Sequence, residues 1–311
     1  MPDLDRLLEA FGAAGGDLAV LSDTHTAHIV AMGHSVSSAR SIPGVEIRAD
    51  RTRNGIRAGI TVSDGVRVER PVHICAGVMS HHGTQRIEME VTLGRDSRAS
   101  FVAHCIFPEA VTVRHLMRGR FDIGEGAMMQ YRETHFHGPH GGVTAIPKMT
   151  ARLARGSRFQ SDFLLVTGHV GVLDIDYDIL GGEDSTAELT ARIFAHGDDR
   201  VRIREKITLA GANARGLIKT RLALEGNSSG EVTGITEGNA PGARGHIDCM
   251  ELVRDHATAR AVPVVNVTHP QAKVTHEAAI GSVDRHQMET LMAHGLSPDE
   301  SVDVIVRGIL G

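Results

Sequence analysis

Apolar and polar residues alternate with a period of two along most of the chain. The alternation is clear over residues 86–93, 174–179 and 201–209, where nearly every second side chain is apolar and the others are polar or charged. Successive side chains of a β-strand point to opposite faces of its sheet, so this pattern predicts strands with one buried and one solvent-facing side. The middle of the chain is therefore predicted to be mainly β.

Glycine turns of one recurring form interrupt these strands: an apolar-x-apolar triplet, a glycine, a few small or polar residues, then a new alternating run. The intervals from Gly94 are 30, 32, 25, 30 and 15 residues, and the glycines reached are Gly124, Gly156, Gly181, Gly211 and Gly226. A repeat near 30 with a half-repeat near 15 predicts a stacked β-coil in which each coil has about two strands and two bends.

An antiparallel sandwich with similar turns is the alternative to the stacked coil. A sandwich is built from hairpins, but the chain has one hairpin signal, Asn54-Gly55. No helical pattern appears between about residues 20 and 245, so the stacked coil accounts better for the sequence.

Helical periodicity returns at both ends of the chain. Leu4, Leu7, Leu8 and Phe11 form a stripe that stops at Gly12. We therefore divide the chain into an N-terminal helical segment (1–17), a β-helix core (18–281) and a C-terminal helical region (282–311).

The C-terminal region carries two predicted helices, each with an apolar face. The first follows Asp284, and the second follows Ser297-Pro298-Asp299-Glu300, which is a capping box with proline at the first helical position. Their apolar faces pack on the parent domain or dock a partner helix. The residues of these faces are Met288, Leu291, Met292, Val302, Ile305, Val306 and Ile309.

Composition excludes several classes of function. Hydrophobic residues make up 41% of the chain and aromatic residues only 3%, so the core is aliphatic. The net charge of −5 comes from 33 basic and 38 acidic residues spread along the chain, so the sequence has no basic stretch of the kind that binds nucleic acid. The acidic N-terminus lacks a signal-peptide layout, and no apolar run approaches the roughly 18 residues of a membrane span, so we predict a soluble, cytoplasmic protein without membrane or nucleic-acid partners.

The motifs of several enzyme classes are missing from the sequence. It has no Gly-rich phosphate loop with its lysine, no GxSxG elbow and no HExxH motif. Its three cysteines, Cys75, Cys105 and Cys249, are far apart without a CxxC pair, which argues against a disulfide framework or a zinc knuckle. Nucleotide hydrolysis by this chain, serine hydrolase chemistry and zincin chemistry are therefore not expected.

Two stretches near the end of the predicted coil carry side chains of the types that bind metals. On an extended strand, Cys249 shares a face with Ile247 and Glu251, so its thiol is either a small buried hydrophobe or a ligand. His276 and Glu277 follow about 27 residues later, close to one repeat, so they are predicted on the neighbouring coil. Alternatively, Glu277 caps a turn and His276 binds a backbone carbonyl.

A second candidate site is the strand carrying Glu133, His135 and His137. These three side chains share one strand face and offer the nitrogen and oxygen ligands of a transition metal. One hypothesis is a metal-dependent enzyme that uses them on the outer surface of the coil. The alternative is a polar outer face without a metal.

The C-terminal motifs resemble those of the SufB/SufD family of iron-sulfur cluster assembly proteins. The resemblance is strongest from residue 245 onward and continues more loosely upstream through residues 214–219. The motifs are Gly-His-Ile-Asp-Cys ending at Cys249, the strand 261–267, the turn Thr268-His269-Pro270, the run His276-Glu277-Ala278-Ala279-Ile280-Gly281 and the tail 295–308. Glutamate after the histidine resembles the SufB rather than the SufD side of the family.

The resemblance implies a right-handed parallel β-helix between helical ends, acting as a scaffold for a transient iron-sulfur cluster and not as an enzyme. It implies that Cys249, His276 and Glu277 lie at the cluster site and that Cys105 is a candidate interior sulfur carrier. The implied partners are a SufC-like ABC ATPase docked on the C-terminal helices and a cysteine desulfurase or other sulfur donor. The short chain resembles a minimal form that works as a homodimer.

Chemistry supports a shared site independently of the resemblance. An iron-sulfur cluster normally takes four thiolates, and one subunit offers one thiol here. Two copies of Cys249 with His276 or Glu277 would form a mixed ligand shell. Imidazole and carboxylate hold iron less firmly than thiolate, so such a cluster can be released.

Overall fold

The computed structural model describes residues 2–310. The side chains of residues 2–5, 21, 22, 285, 299 and 303 lie outside the described part, so the predicted place of Leu4 in the apolar stripe lies outside it too. The helices are α1 (Pro2–Ala13), α2 (Ala19–Ser22), α3 (Arg285–Ala293) and α4 (Pro298–Leu310). The strands are β1 (His28–Met32), β2 (Ser35–Arg40), β3 (Val45–Thr52), β4 (Gly55–Val62), β5 (Val72–Gly77), β6 (His82–Leu93), β7 (Arg98–Phe107), β8 (Thr112–Ile123), β9 (Met128–His137), β10 (Val143–Leu153), β11 (Arg158–Thr167), β12 (Gly171–Gly181), β13 (Thr186–Ala195), β14 (Arg200–Leu209), β15 (Arg215–Leu224), β16 (Ser229–Gly238), β17 (Arg244–Val253), β18 (Thr258–Val267) and β19 (Lys273–Gly281).

From β4 onward the strands alternate between two parallel sheets, so each coil consists of one strand from each sheet. One sheet has the order β19-β17-β15-β13-β11-β9-β7-β5-β1-β2, and the other has the order β18-β16-β14-β12-β10-β8-β6-β4-β3. Partner residues on neighbouring coils are about one predicted repeat apart, as in Met128 beside Arg158 and Arg244 beside Lys273. The predicted parallel β-helix is confirmed, and the antiparallel sandwich is wrong.

The bend between the two sheets explains both the glycine repeat and its irregularity. One position of this bend has a positive φ in six successive coils, where side chains other than those of Gly, Asn and Asp are strained. The residues there are Asp96, Gly126, Gly156, Asp184, Asn213 and Gly242. Because Asp or Asn occupies half of these positions, the spacing of glycines alone gave only an approximate length for each coil.

The two ends of the β-helix differ. At the first end the chain doubles back: β2 pairs antiparallel with β1 through a bulge near Val30, and β3 pairs antiparallel with β4. Thr52 faces Gly55 across the second hairpin, as its Asn-Gly signal indicates. At the other end, β18 and β19 are the last strands of their sheets in the described part of the chain.

Side chains on alternate positions fill the space between the two sheets, which we call the lumen. The lumen is lined mainly by Val, Ile, Leu and Ala, as the composition predicts. Helix α1 lies outside it, where Leu7 and Phe11 pack with Cys75 and Ile106. We assigned residues 18–27 to the β-helix core. In the structure this segment precedes the first strand and contains the four-residue helix α2.

Both predicted C-terminal helices are present with their predicted caps. The Asp284 side chain accepts a 2.8 Å hydrogen bond from the backbone of Gln287. In the capping box, the backbone N–H of Ser297 donates to Glu300 Oε2 at 2.8 Å, and that of Glu300 donates to Ser297 Oγ at 3.3 Å. Within residues 2–310, no helix combines the length and the apolar character that a membrane crossing requires.

Helix α4 covers part of its own apolar face. It lies against β13 and β15, and Val302 and Val306 are buried against Ala223 and Leu252. Val302 and Val306, which we predicted on a partner-docking face, thus pack on the parent domain, the other alternative for these helices, because the β-helix offers them an apolar surface. Met292 is 40% exposed, and Leu291 and Ile305 are half-buried.

Candidate functional site

Cys249 lies on β17, the next-to-last strand of its sheet. It stands beside Thr220 of β15 on one side and Ala278 of β19 on the other. Its side chain is only 2% exposed and shares its face with Ile247 and Glu251, as the alternation predicts. The thiol therefore points into the lumen, one coil from the open end.

The register of β17 and β19 separates the two predicted ligands that follow Cys249. His276 pairs with Ile247, and Glu277 pairs with Asp248. Because neighbouring strands share their pleat, His276 points to the lumen side with Cys249, whereas Glu277 points to the outer face. Both residues are exposed, because β19 is the last strand of its sheet.

Two buried carboxyl groups near Cys249 were missed by the sequence reasoning. Glu251 is 0% exposed, and neither carboxylate oxygen has a hydrogen-bond partner among the described residues. Glu205 of β14 is 1% exposed and accepts a 3.4 Å hydrogen bond from Thr220 Oγ1. A signal exists: both glutamates interrupt the apolar face of a strand, where a charged residue is rarely buried unless it is paired.

Burial controls the protonation of this cluster. Loss of hydration raises the pKa of Glu205 to about 8 and that of Glu251 to about 7. Burial, followed by the charges of Glu251 and Glu205, raises the pKa of the Cys249 thiol to about 12, and a hydrogen bond with Thr220 opposes the increase. At neutral pH the thiol keeps its proton, so it can act as a metal ligand only by losing that proton.

An ion pair on the outer face fixes the strand that carries Cys249. The guanidinium of Arg221 donates to both carboxylate oxygens of Asp248, at 2.9 and 2.6 Å, and also to its backbone carbonyl at 3.1 Å. These bonds hold the pKa of Asp248 below its ordinary value. Since Asp248 directly precedes Cys249, the pair anchors the cysteine strand to β15.

The last coil leaves apolar side chains uncovered. The most exposed of them are Val264, Val265, Val267 and Ile280, which are 37–49% exposed. Helix α4 packs against β13 and β15, and the described residues leave these four side chains exposed. An edge strand with unpaired backbone groups and apolar side chains is a ready surface for another chain.

Glu133, His135 and His137 do share one face of β9, as predicted, but that face points into the lumen. Their exposures are 1%, 1% and 2%. His135 bonds Glu133 Oε1 through Nε2 at 2.8 Å and His137 Nε2 through Nδ1 at 3.1 Å. The predicted surface position is therefore wrong. The alternation was read correctly, but it does not tell which face is inside, and Tyr131 holds this face in the core.

The lumen cluster also includes the cysteine predicted to carry sulfur. Cys105 of β7 is buried with its Sγ 3.8 Å from Glu133 Oε1. Burial, together with the charge of Glu133, raises its pKa well above the ordinary value of a thiol. His115 of β8 completes the group, and burial lowers its pKa to about 3, so its imidazole is neutral.

Comparison with known proteins identifies similar chains. A family model described as SUF system FeS cluster assembly, SufBD core domain, matches residues 78–309. An iron-sulfur cluster assembly SufBD family protein of Methanocaldococcus jannaschii is 38% identical over 268 residues, which cover 86% of this chain and 85% of that protein. One of Pyrococcus horikoshii is 31% identical over 309 residues, covering 99% of this chain and 94% of that protein. One of Archaeoglobus fulgidus is 26% identical over 247 residues, covering 79% of this chain and 66% of that protein.

Proposed function

Because the chain belongs to the SufBD family of the SUF system for iron-sulfur cluster assembly, we propose that it is a scaffold on which a transient cluster is built beside Cys249. One observation supports placing the cluster beside Cys249. Of the three cysteines in the chain, Cys249 alone lies in the last three strands, next to the open end. A cargo that must be built and handed on needs such a place.

The ligands around Cys249 suit a labile cluster. The thiol, the carboxyl of Glu251 and the imidazole of His276 lie on the lumen side of β17 and β19. Oxygen and nitrogen ligands bind iron less strongly than thiolates, which favours release of the product. Glu277 is on the outer face of its own chain, so we propose that its carboxylate acts across an interface instead.

A second copy of this chain is the proposed occupant of the open end. One thiol per chain is too few for a cluster that normally has four, and a twofold axis at this end would bring two copies of Cys249 together. The uncovered edge of β18 and β19, with its apolar side chains, supports antiparallel pairing between two copies.

We further propose that the exposed part of the C-terminal helices docks an ABC-type ATPase. Met292, Leu291 and Ile305 remain at least partly accessible, together with Val304, which is 46% exposed. Met288 and Ile309 lie at the edge of the cluster buried against the β-helix and complete this surface. ATP hydrolysis then belongs to the partner, and the chain itself is an assembly component.

The supply of sulfur by a cysteine desulfurase or another donor, and a cytoplasmic location, stay predictions. Cys105 faces the lumen, as a carrier of sulfur along the coil must. However, transfer requires a thiolate, and burial disfavours the thiolate of Cys105. The sulfur-carrying role of this residue therefore also stays a prediction.

Anaerobic reconstitution with ferrous iron and sulfide tests the cluster site. We expect the native chain to develop the charge-transfer absorption of an iron-sulfur cluster and Cys249→Ser to lose it. Cys75→Ser is the matched control, because Cys75 is equally buried but packs outside the lumen against α1. A full cluster spectrum in Cys249→Ser would refute the assignment.

A further inference from the structure

Three strands far from Cys249 bring metal-ligand side chains together in the lumen. Cys105, His115 and His135 come from β7, β8 and β9, and all three are buried. One ligand atom from each lies within 4.8 Å of the others. Two ligands at about 2.0–2.3 Å from a common zinc ion are at most about 4.6 Å apart, so small rotamer changes close the site.

The imidazole of His115 is held in the tautomer that a metal requires. The side-chain amide nitrogen of Gln85 donates to the backbone carbonyls of Gly33 and Gly77, each at 3.1 Å. The amide oxygen therefore faces His115 Nδ1 at 3.0 Å, and Nδ1 must be the donor. This leaves a lone pair on Nε2, which has no hydrogen-bond partner in the described part of the chain. A ligand histidine oriented through its other nitrogen is the usual second-shell arrangement.

Glu133 lies beside two of these three residues, Cys105 and His135, and is the candidate for a fourth ligand. Its Oε1 is 2.8 Å from His135 Nε2 and 3.8 Å from Cys105 Sγ, and its Oε2 lacks a partner among the residues described. These two distances are similar to those between neighbouring ligand atoms of one metal ion. His137, 3.1 Å from His135 Nδ1, then orients the His135 ring as Gln85 orients His115.

We propose that this cluster is a buried site for one divalent transition-metal ion of the zinc and iron class, bound by Cys105 Sγ, His115 Nε2, His135 Nε2 and a Glu133 carboxylate oxygen. The ion replaces the proton between His135 and Glu133 and the proton of the thiol. Two positive charges then meet one thiolate and one carboxylate, so the site is neutral in its apolar surroundings.

The donor set decides the class of ion. Thiolate and imidazole ligands favour zinc or iron over magnesium and calcium, which take oxygen ligands. The site is separate from the proposed cluster site, because β7 and β17 are five coils apart, or roughly 24 Å at the usual strand spacing. It does not depend on the scaffold role, since a structural ion here would tie three strands together in any solenoid.

Cobalt(II) is the probe for this site, because thiolate ligation gives it a charge-transfer band and tetrahedral geometry gives it intense visible bands. The full chain is refolded anaerobically with Co²⁺ in the absence of iron and sulfide, which keeps the thiols reduced and loads a site that is closed in the folded protein. We expect one bound Co²⁺ per native chain with both bands and an increase in Tm over the metal-free protein. Cys105→Ser should lose the charge-transfer band, and His115→Gln should bind Co²⁺ at least 10-fold more weakly.

Two control variants separate the possible results. Cys75→Ser removes a buried thiol from the adjacent strand β5, and Cys249→Ser removes the thiol of the proposed cluster site; both should keep the bands. Bands that persist in Cys105→Ser, bands lost in Cys249→Ser, or a folded native chain that binds no Co²⁺ would each overturn the proposal. If Cys105→Ser fails to fold by circular dichroism, the near-isosteric His115→Gln decides. Cluster reconstitution on Cys249 can succeed or fail independently of these results.

Discussion

Replacing Glu205 by glutamine should stabilise the protein at high pH. The carboxyl lies in the lumen, where it faces Thr220 and affects the pKa values of Cys249 and Tyr177. Its own pKa rises from an ordinary 4.5 to about 8 because burial disfavours the charged form. A glutamine keeps the shape of the side chain and cannot ionise.

The sign and size follow from proton linkage. A carboxyl with a raised pKa in the folded state binds more protons when folded, so it lowers stability progressively as pH rises from 4.5 to about 8. That interval corresponds to at most about 5 kcal/mol, at ~1.4 kcal/mol per pKa unit. About 4 kcal/mol of this change should fall between pH 5 and pH 9. Glu205→Gln should lack this decline, whatever constant offset its amide introduces.

The assay is urea denaturation of the native chain and of Glu205→Gln across pH 5 to 9. The readout is how the difference in their free energies of unfolding changes with pH. Glu90→Gln is the matched control, because Glu90 points outward from β6 and is exposed. The infrared band of a protonated carboxyl, present at pH 6 in the native chain and reduced in Glu205→Gln, is an independent check. A difference that stays constant with pH would show that Glu205 ionises normally.

Three further predictions concern other parts of the molecule. Val265→Glu should weaken self-association, measured by light scattering. Val172→Glu is the control and should have no effect, because Val172 is as exposed (38% against 37%) but lies in the middle of the solenoid. Equal effects of the two substitutions would argue against pairing through the open end. Ser297→Ala should destabilise α4 by about 1 kcal/mol and speed amide exchange there, since it removes the N-cap. Phe159→Ala should cost about 3–5 kcal/mol in urea denaturation because its ring is fully buried; a loss below about 1 kcal/mol would contradict this packing.

The coil repeat was predictable from the sequence because two strands and two bends always occupy nearly the same number of residues. The exact register was not predictable. A spacing of 27 residues placed His276 and Glu277 one coil from Cys249, but the true offset is 29, as in Ile247 beside His276. A difference of two residues leaves each side chain on the same face of its strand, but it moves His276 from beside Cys249 to beside Ile247.

Period-two patterns also leave open which face is inside. Glu133, His135 and His137 were expected on the surface because they are polar, yet they follow the parity of buried Tyr131. Glu205 was overlooked for a related reason: it interrupts the apolar face of β14, but Ile203 and Ile207 continue the alternation on either side of it. Functional and strained sites are where a sequence is expected to break local rules such as apolar burial, so reasoning from those rules is least accurate at buried polar groups.

The two ends of the β-helix differ in how readily they could pair with another chain. The first end is blunted: β2 is short and bulged, and β3 carries charges such as Glu46, Arg48 and Asp50, which discourage strand pairing. If two copies pair through the open end as proposed, each chain behaves like a monofunctional monomer in polymer chemistry, with one end available for pairing. Under that proposal, raising the concentration should saturate association at two chains, because pairing consumes both available ends and leaves none for growth into fibrils.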